Sequence, residues 1–229
     1  MKKLLSLLLV LLLSVSLASC GELVYDYNED NMSAKTEDGA VKWSCDIRYP
    51  FFKGGCSDDI NAALDPVLRG FRDEAVAAQG DADEVYGKLA VGFQFDLDVD
   101  VIECIDGYIS LRLTEYRYLG GVHGGRFIHG LIFDEKTGDT VTANELLGLG
   151  VSEFAELVLS EVRSMMDAQP EYFFSDIADE QILGDVSEGL SCCYLEGNEL
   201  VYVFQEYAIA PYVGGPQYVR IPLASVDNK

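Results

Sequence analysis

The segment VGFQFDLDVDV, residues 91–101, constrains the fold more than any other part of the chain. Apolar side chains alternate along it with Gly, Gln and three Asp residues. A period of two is typical of a β-strand with one buried and one solvated face, which favours an antiparallel sheet. Asp106-Gly107 is a hairpin turn signal, and the following YISLRLTEYRYL is predicted to return as the partner strand.

Further strands are predicted on both sides of this hairpin. VKWSCDIRYP, residues 41–50, alternates in the same way. RFIHGLIFDEKTGDTVT, residues 126–142, predicts a second hairpin that turns at residues 135–138. The last part of the chain, residues 190–223, predicts three more strands with a loop at residues 211–216.

Two principal helices are predicted between these strands. Apolar residues recur at helical spacing over residues 60–75, after Ser57 as a capping residue, and again over residues 154–165. Residues 142–145 have the form of a capping box and predict a short helix through Leu147. Helices mixed with antiparallel strands, without a regular βαβ alternation, indicate an α+β fold with mainly antiparallel sheets and two principal helices packed on them.

The first twenty residues predict export and lipid attachment. MKKLLSLLLVLLLSVSLASC has a basic start, an apolar run too short for a membrane span, and a Leu-Ala-Ser-Cys lipobox. We expect residues 1–19 to be cleaved as a lipoprotein signal peptide and Cys20 to carry lipid, including palmitate. An ordinary signal peptide is the alternative. Residues 20–40 are acidic and patternless, which predicts a linker from the lipid to the fold.

This start also predicts where the protein is found. We expect it in the cell envelope, anchored to the outer face of the bacterial cytoplasmic membrane or to the outer membrane, with no cytoplasmic part. The chain has 39 Asp and Glu against 16 Lys and Arg, a net charge of −23. Such acidity attracts cationic partners, although solubility alone also explains it. The lack of a basic cluster argues against nucleic-acid binding.

The cysteines leave the disulfide pairing open. Beyond Cys20, the odd number allows at most two bridges, and no CxxC spacing suggests a zinc site. The five residues concerned are Cys45, Cys56, Cys104, Cys192 and Cys193.

Both histidines lie in the glycine-rich stretch YRYLGGVHGGRFIHG, residues 116–130. Glycine on both sides of His123 allows tight turns and close backbone approach. The favoured interpretation is a histidine whose ring bonds to the backbone and fixes a turn. Ligand contact, metal ligation and acid–base catalysis are the alternatives. His129 falls in an alternating strand and is predicted to be a core or edge residue.

Two other features are candidate binding surfaces. Asp96, Asp98 and Asp100 lack the calcium-loop pattern and stand about 7 Å apart on a strand, so they predict a solvated face that could meet a basic partner. The loop EYAIAPYVGGP combines a rigid backbone with tyrosines, which are enriched at binding surfaces. The alternative is a packed corner in which the tyrosines bond to the backbone. The candidate ligand-binding residues are Tyr118, Gly120, Gly121, His123, Gly124, Tyr207, Pro211 and Tyr212.

Several stretches of the chain resemble a known family. YRYLGGVHG, IFDEKTGDTVT and FQEYAIAPYVGGPQYVRIPL are similar to the extracytoplasmic domain of RsiV-like anti-sigma factors. The same domain accompanies the catalytic module of PdaC-type peptidoglycan deacetylases, and YPFFKGGCSDDIN resembles its companion N-terminal segment. The resemblance implies a PdaC-like segment over residues 41–118 and an RsiV-like domain over residues 119–226, packed as one globular unit.

The resemblance implies binding or sensing rather than catalysis. RsiV-like proteins sense lysozyme and hold a sigma factor across a membrane helix, whereas the deacetylases use a separate metal-dependent module. This sequence matches neither the helix nor the metal-ligand pattern of that module. We therefore expect a lipid-anchored domain, without cofactor or metal, that binds peptidoglycan or a cationic protein such as lysozyme. The alternative is an enzyme acting on cell-wall glycan, with His123 as acid–base or metal ligand.

Overall fold

The structure is a computed structural model that describes residues 23–85, 91–105 and 107–223. The predicted signal peptide, the predicted lipid-attachment residue Cys20 and the turn residue Asp106 lie outside these ranges. Within them, no helix combines the length and the apolar character needed to cross a membrane. Export and lipid attachment stay predictions.

A five-stranded sheet forms the first half of the fold. Its strands lie in chain order, and all neighbours are antiparallel except β2 and β3, which are parallel. The parallel pair requires a crossover, which helices α1 and α2 provide. The elements are β1 (Val24–Lys35), β2 (Val41–Lys53), α1 (Ser57–Ala77), α2 (Gln79–Val85), β3 (Phe93–Ile105), β4 (Tyr108–Tyr118) and β5 (Gly125–Asp134).

The predicted alternation in β3 is confirmed. Phe95, Leu97 and Val99 are buried, whereas Asp98 between them is exposed. Helix α1 covers the apolar face of the sheet with side chains at helical spacing, from Ile60 to Ala75, as the sequence predicted. One core therefore lies between α1 and the sheet.

The second half builds another layer from helices and a three-stranded antiparallel sheet. Helix α4 buries Phe154, Val158 and Val162, close to the predicted face, and packs with α5 on this sheet. The capping box is also confirmed, since the Glu145 carboxylate accepts a hydrogen bond from the Thr142 backbone N–H at 3.0 Å. The elements are α3 (Ala143–Leu146), α4 (Val151–Ala168), α5 (Asp179–Glu188), β6 (Cys193–Glu196), β7 (Glu199–Phe204) and β8 (Gln217–Pro222).

Three local predictions are wrong. Ser57 is the first residue of helix α1 and does not cap it, since the N-cap position is Cys56. Most of the expected linker over residues 20–40 is strand β1, an edge strand that pairs with β2 along its whole length. Its side chains are mostly exposed, so no hydrophobic period marked it, and ion pairs such as Lys53–Asp26, at 2.7 Å, connect it to its neighbour. The expected second hairpin is reduced to a single bridge between Phe133 and Thr140.

The two sheets meet face to face at β5 and β6. A Cβ atom added to Gly130 would lie 1.7 Å from the carbonyl oxygen of Cys193, so only glycine allows this approach. Beside it, the buried Ser110 hydroxyl accepts a hydrogen bond from the Leu195 backbone N–H at 2.7 Å. A third buried cluster, with Ile128 and Tyr194 among its members, fills the junction. Strand β5 lies beyond the predicted boundary at residues 118 and 119, yet it pairs with β4 in the first sheet.

Three of the cysteines are free thiols, namely Cys45, Cys192 and Cys193. Burial raises the pKa of the Cys45 thiol to about 11, so this thiol stays protonated at neutral pH. The side chain of Cys104 is not among those described.

We predict that Gly130→Ala destabilises the protein by about 1–3 kcal/mol or more, because the added methyl group forces the two sheets apart. Gly184→Ala in helix α5 is the matched control. Nothing lies within 4 Å of its new Cβ atom, and we expect it to be neutral or stabilising by up to about 1 kcal/mol. Urea unfolding of both variants measures the difference, and equal stability would contradict the sheet contact.

Candidate functional site

Two loops that are far apart in the sequence meet beside this junction. The glycine-rich loop between β4 and β5 contributes His123, and the loop between β7 and β8 contributes Tyr207 and Tyr212. The His123 and Tyr212 rings stack with centroids 3.8 Å apart and planes inclined by 20°. The Tyr207 ring lies 5.6 Å from Tyr212 and 6.3 Å from His123, again nearly parallel. We call these three residues the aromatic cluster.

The second loop is attached to strand β5 by its first two side chains. The Gln205 amide accepts a hydrogen bond from the Ile128 backbone N–H at 2.8 Å and donates one to the Ile128 carbonyl at 2.6 Å. It therefore occupies the outer edge of β5 much as another strand would. The Glu206 carboxylate accepts a further bond from the Arg126 backbone N–H at 3.0 Å. These contacts determine where the loop leaves the sheet.

Hydrogen bonds fix the orientation of the His123 ring. Its Nδ1 lies 2.9 Å from the Gly124 carbonyl oxygen, and its Nε2 lies 3.4 Å from the Tyr207 hydroxyl. Because a carbonyl oxygen can only accept, Nδ1 must carry the proton, and Nε2 is left to accept from Tyr207. The Tyr212 hydroxyl also donates to the Gly124 carbonyl, at 3.2 Å. Both ring nitrogens are thus engaged within the cluster, as expected for a histidine that fixes a turn.

The glycines around His123 have distinct steric roles. A Cβ atom on Gly124 would lie 2.4 Å from the ring of Tyr116, so this position must be glycine for the two to pack. Gly120 and Gly121 adopt positive φ angles of 85° and 115°, a region that side chains disfavour. The Tyr118 hydroxyl then donates to the Gly121 carbonyl at 3.1 Å and holds the turn. The tight turn is therefore built by glycine and two tyrosines.

Tyr207 is held in a strained backbone conformation. Its φ is 66°, the only positive value of a non-glycine residue in the part of the chain that the structure describes. The left-handed region costs an L-residue about 1–2 kcal/mol, and such strain is concentrated at functional sites. The residue is nevertheless 54% exposed, so its own burial does not compensate for the strain.

Exposed apolar residues lie close in sequence to the cluster residues on both loops. Val122 is 99% exposed and Val213 is 94% exposed, and Leu119 is half exposed. Exposed apolar residues on the same loops as exposed aromatic rings are typical of surfaces that bind a partner. No sequence pattern indicated a role for these valines, or for Gln205 and Glu206, because nothing local shows that the two loops converge.

Two parts of the chain match the models of known protein families. The model of the family described as Deacetylase PdaC matches residues 35–126, and the model of the protein family of unknown function DUF3298 matches residues 151–224. The chain combines a PdaC-like segment with a DUF3298 segment. This confirms the resemblance inferred from the sequence, and the two segments fit an extracytoplasmic accessory domain.

Solved structures of the DUF3298 family share the fold. A member from Bacteroides fragilis superposes with a TM-score of 0.61 at 16% identity, over 91% of this chain and 94% of its own. A member from Pseudomonas aeruginosa superposes with a TM-score of 0.56 at 17% identity, over 90% and 92%. No curated protein matches the chain.

The aromatic cluster joins the two family segments. His123 lies within the PdaC-like segment, whereas Tyr207 and Tyr212 lie within the DUF3298 segment. Of the eight residues predicted to bind ligand, the structure joins His123, Gly124, Tyr207 and Tyr212 through the contacts above. Tyr118 contacts Gly121 in the turn that precedes His123, and Gly120 lies next to Gly121 in that turn. Pro211 immediately precedes Tyr212 and lines a neighbouring cleft.

The predicted aspartate row lies apart from the cluster, on the PdaC-like sheet. Asp100 lies 2.9 Å from Arg48 and 3.3 Å from Arg112, and Asp98 lies 3.7 Å from Arg48. Burial raises the pKa of Asp96. Most of this charge is therefore compensated locally. Among the described residues, no group of three or more His, Cys, Asp or Glu side chains could hold a metal ion.

His129 is half-buried on the helix-covered side of the PdaC-like sheet, which agrees with the predicted core or edge position. Its Nε2 lies 3.9 Å from the buried Glu115 carboxylate, which also pairs with Arg117 at 2.7 Å. The two histidines of the chain therefore belong to different surroundings and do not form a shared site.

We predict that Tyr207→Gly is more stable than Tyr207→Ala by about 1 kcal/mol, because glycine adopts the positive φ without strain. The order is the reverse of that expected in extended backbone, where glycine costs about 0.5–1 kcal/mol relative to alanine. Phe51→Gly and Phe51→Ala in strand β2 are the control pair, with alanine the more stable. Chemical unfolding of the four variants checks this, and the ordinary order at position 207 would show that no strain is stored there.

Proposed function

We propose that the protein is a lipid-anchored extracytoplasmic domain for binding or sensing, with the aromatic cluster at the centre of its contact surface. Its ligand is a cell-wall component or a cationic wall-active protein such as lysozyme. The observation that carries the proposal is the strained, exposed Tyr207, stacked near His123 and Tyr212.

The chemistry of this surface suits a sugar or a protein better than a small ion. Tyrosine rings offer a large apolar face together with a hydroxyl group, and they dominate the energetics of many interfaces. Their faces also attract cations. The net charge of −23 adds a long-range attraction for a basic partner, which speeds association more than it strengthens the final complex.

The geometry gives less support to catalysis at His123. A general base needs a free lone pair within reach of the proton it removes. The Nε2 lone pair of His123 points to the Tyr207 hydroxyl, and no carboxylate among the described residues is hydrogen-bonded to the ring. Binding is therefore the function that the arrangement favours.

We predict that Tyr207→Ala weakens binding to immobilised lysozyme or to purified peptidoglycan by at least tenfold, since an exposed aromatic anchor contributes about 2 kcal/mol or more. Phe51→Ala removes an aromatic side chain from a different surface, at a residue that is 44% exposed against 54% for Tyr207, and leaves binding unchanged. Binding is measured at physiological salt and again at higher salt.

The outcomes separate specific from general attraction. Binding that disappears at moderate salt and ignores Tyr207 would reflect charge alone. If the protein shows saturable binding to neither lysozyme nor peptidoglycan, the proposal is wrong. A changed product pattern from muropeptides that His123→Ala abolishes would favour an enzyme instead.

We predict that cells supplied with labelled palmitate incorporate it into the wild-type protein and not into Cys20→Ser. The lipid anchor supplies the membrane attachment, because each buried methylene contributes about 0.8 kcal/mol. The variant is therefore released from the membrane fraction, whereas Cys45→Ser remains in it. An unlabelled wild-type protein in the cytosol would contradict both lipidation and the proposed location.

A further inference from the structure

A cleft of about 600 Å³ opens beside the loop that carries Tyr212. Pro211 and Val213 form one wall, while Tyr172 and Phe173 lie opposite, just after the C-terminal end of helix α4. Residues 174 and 209 tie the walls together, since the Phe174 backbone N–H donates to the Ile209 carbonyl at 3.0 Å. The volume falls in the range of clefts that bind ligands.

The one charged residue in the described lining of this cleft is acidic. Glu171 lies in its lining, and neither Lys, Arg nor His is part of that lining. Within the described ranges, Glu171 forms no ion pair. Helix α4 ends at Ala168, which lines the cleft, and has no basic residue in its last turn, so the negative end of the helix dipole lies beside the cleft. Both features favour a positive charge in the cleft.

The apolar walls favour a particular kind of cation. Pro211, Val213 and Tyr172 would line the stem of a long side chain, and the Tyr172 ring, which is 57% exposed, can also receive a cation on its face. The Gln217 side chain does not take the place of this cation, because its amide nitrogen already donates to the carbonyls of Gly214 and Gly215. A simple ammonium ion would leave the apolar walls uncovered.

We infer that the cleft binds a lysine or arginine side chain of a basic protein partner, together with an apolar neighbour from the same segment. This rests on the proposed function and deepens it, since it selects a protein over a wall glycan as the partner. Val213 and Tyr212 are consecutive in the loop, so one partner can cover the aromatic cluster and enter the cleft.

The test uses two peptides that differ only in charge, acetyl-Leu-Arg-Leu-amide and the same peptide with citrulline in place of arginine. Each is titrated into the isotope-labelled protein, and backbone amide shifts are followed by NMR. We expect shifts over residues 168–173 and 213–214, with about fivefold tighter binding of the arginine peptide. Glu171→Gln removes this preference, whereas Glu156→Gln, at an exposed position further back along α4, preserves it.

Several results would overturn the inference. These are equal affinity of the two peptides, shifts confined to other surfaces, or no shifts at millimolar concentration. Shifts of the same amides by an N-acetylglucosamine trimer, without peptide binding, would show a glycan site instead.

A second comparison separates this inference from the proposed function. Tyr207→Ala should bind lysozyme at least tenfold more weakly and retain the arginine preference of the cleft. Charge-dependent peptide binding without any binding of lysozyme or peptidoglycan would leave the cleft intact and reject the proposed function. Unchanged lysozyme affinity in Glu171→Gln would show that the partner does not use the cleft.

Discussion

At Gly130 the backbone of strand β5 lies against the backbone of strand β6 without room for a side chain. This contact fixes the distance between the two sheets. It thereby fixes the distance between the loop that follows β4 and the loop that follows β7. The Gln205 amide then pairs with the edge of β5, and the aromatic cluster forms where the loops cross. The site therefore depends on the sheet packing more than on any residue within it.

The same dependence explains what the sequence could and could not predict. Period-two alternation in β3 and helical spacing in α1 are local signals, because one face of each element is buried over its whole length. Strand β1 lacks such a signal, because backbone pairing and ion pairs attach it to β2 while both of its faces stay largely exposed to solvent. Helix α5 buries Ile182 and Val186 and is too short to show a period.

The candidate site was predicted in its parts and not as a whole. Glycines beside a histidine and tyrosines beside a proline are each visible in the sequence. Their convergence is a contact across more than eighty residues, and it follows from the sheet junction rather than from local pattern. The strain at Tyr207 is equally hidden, because tyrosine is an ordinary residue until its φ is known.

Charge and aromatic surface have different roles in such a molecule. The acidic residues act over distance, but many are already paired, as Asp100 is with Arg48 and Arg112. Unpaired charge alone would attract any cation and would lose strength with salt. Selectivity must instead come from a surface of defined shape, and the rings of the aromatic cluster are fixed by stacking and by hydrogen bonds to a glycine backbone. A rigid aromatic surface on an acidic body therefore combines fast capture with discrimination among partners.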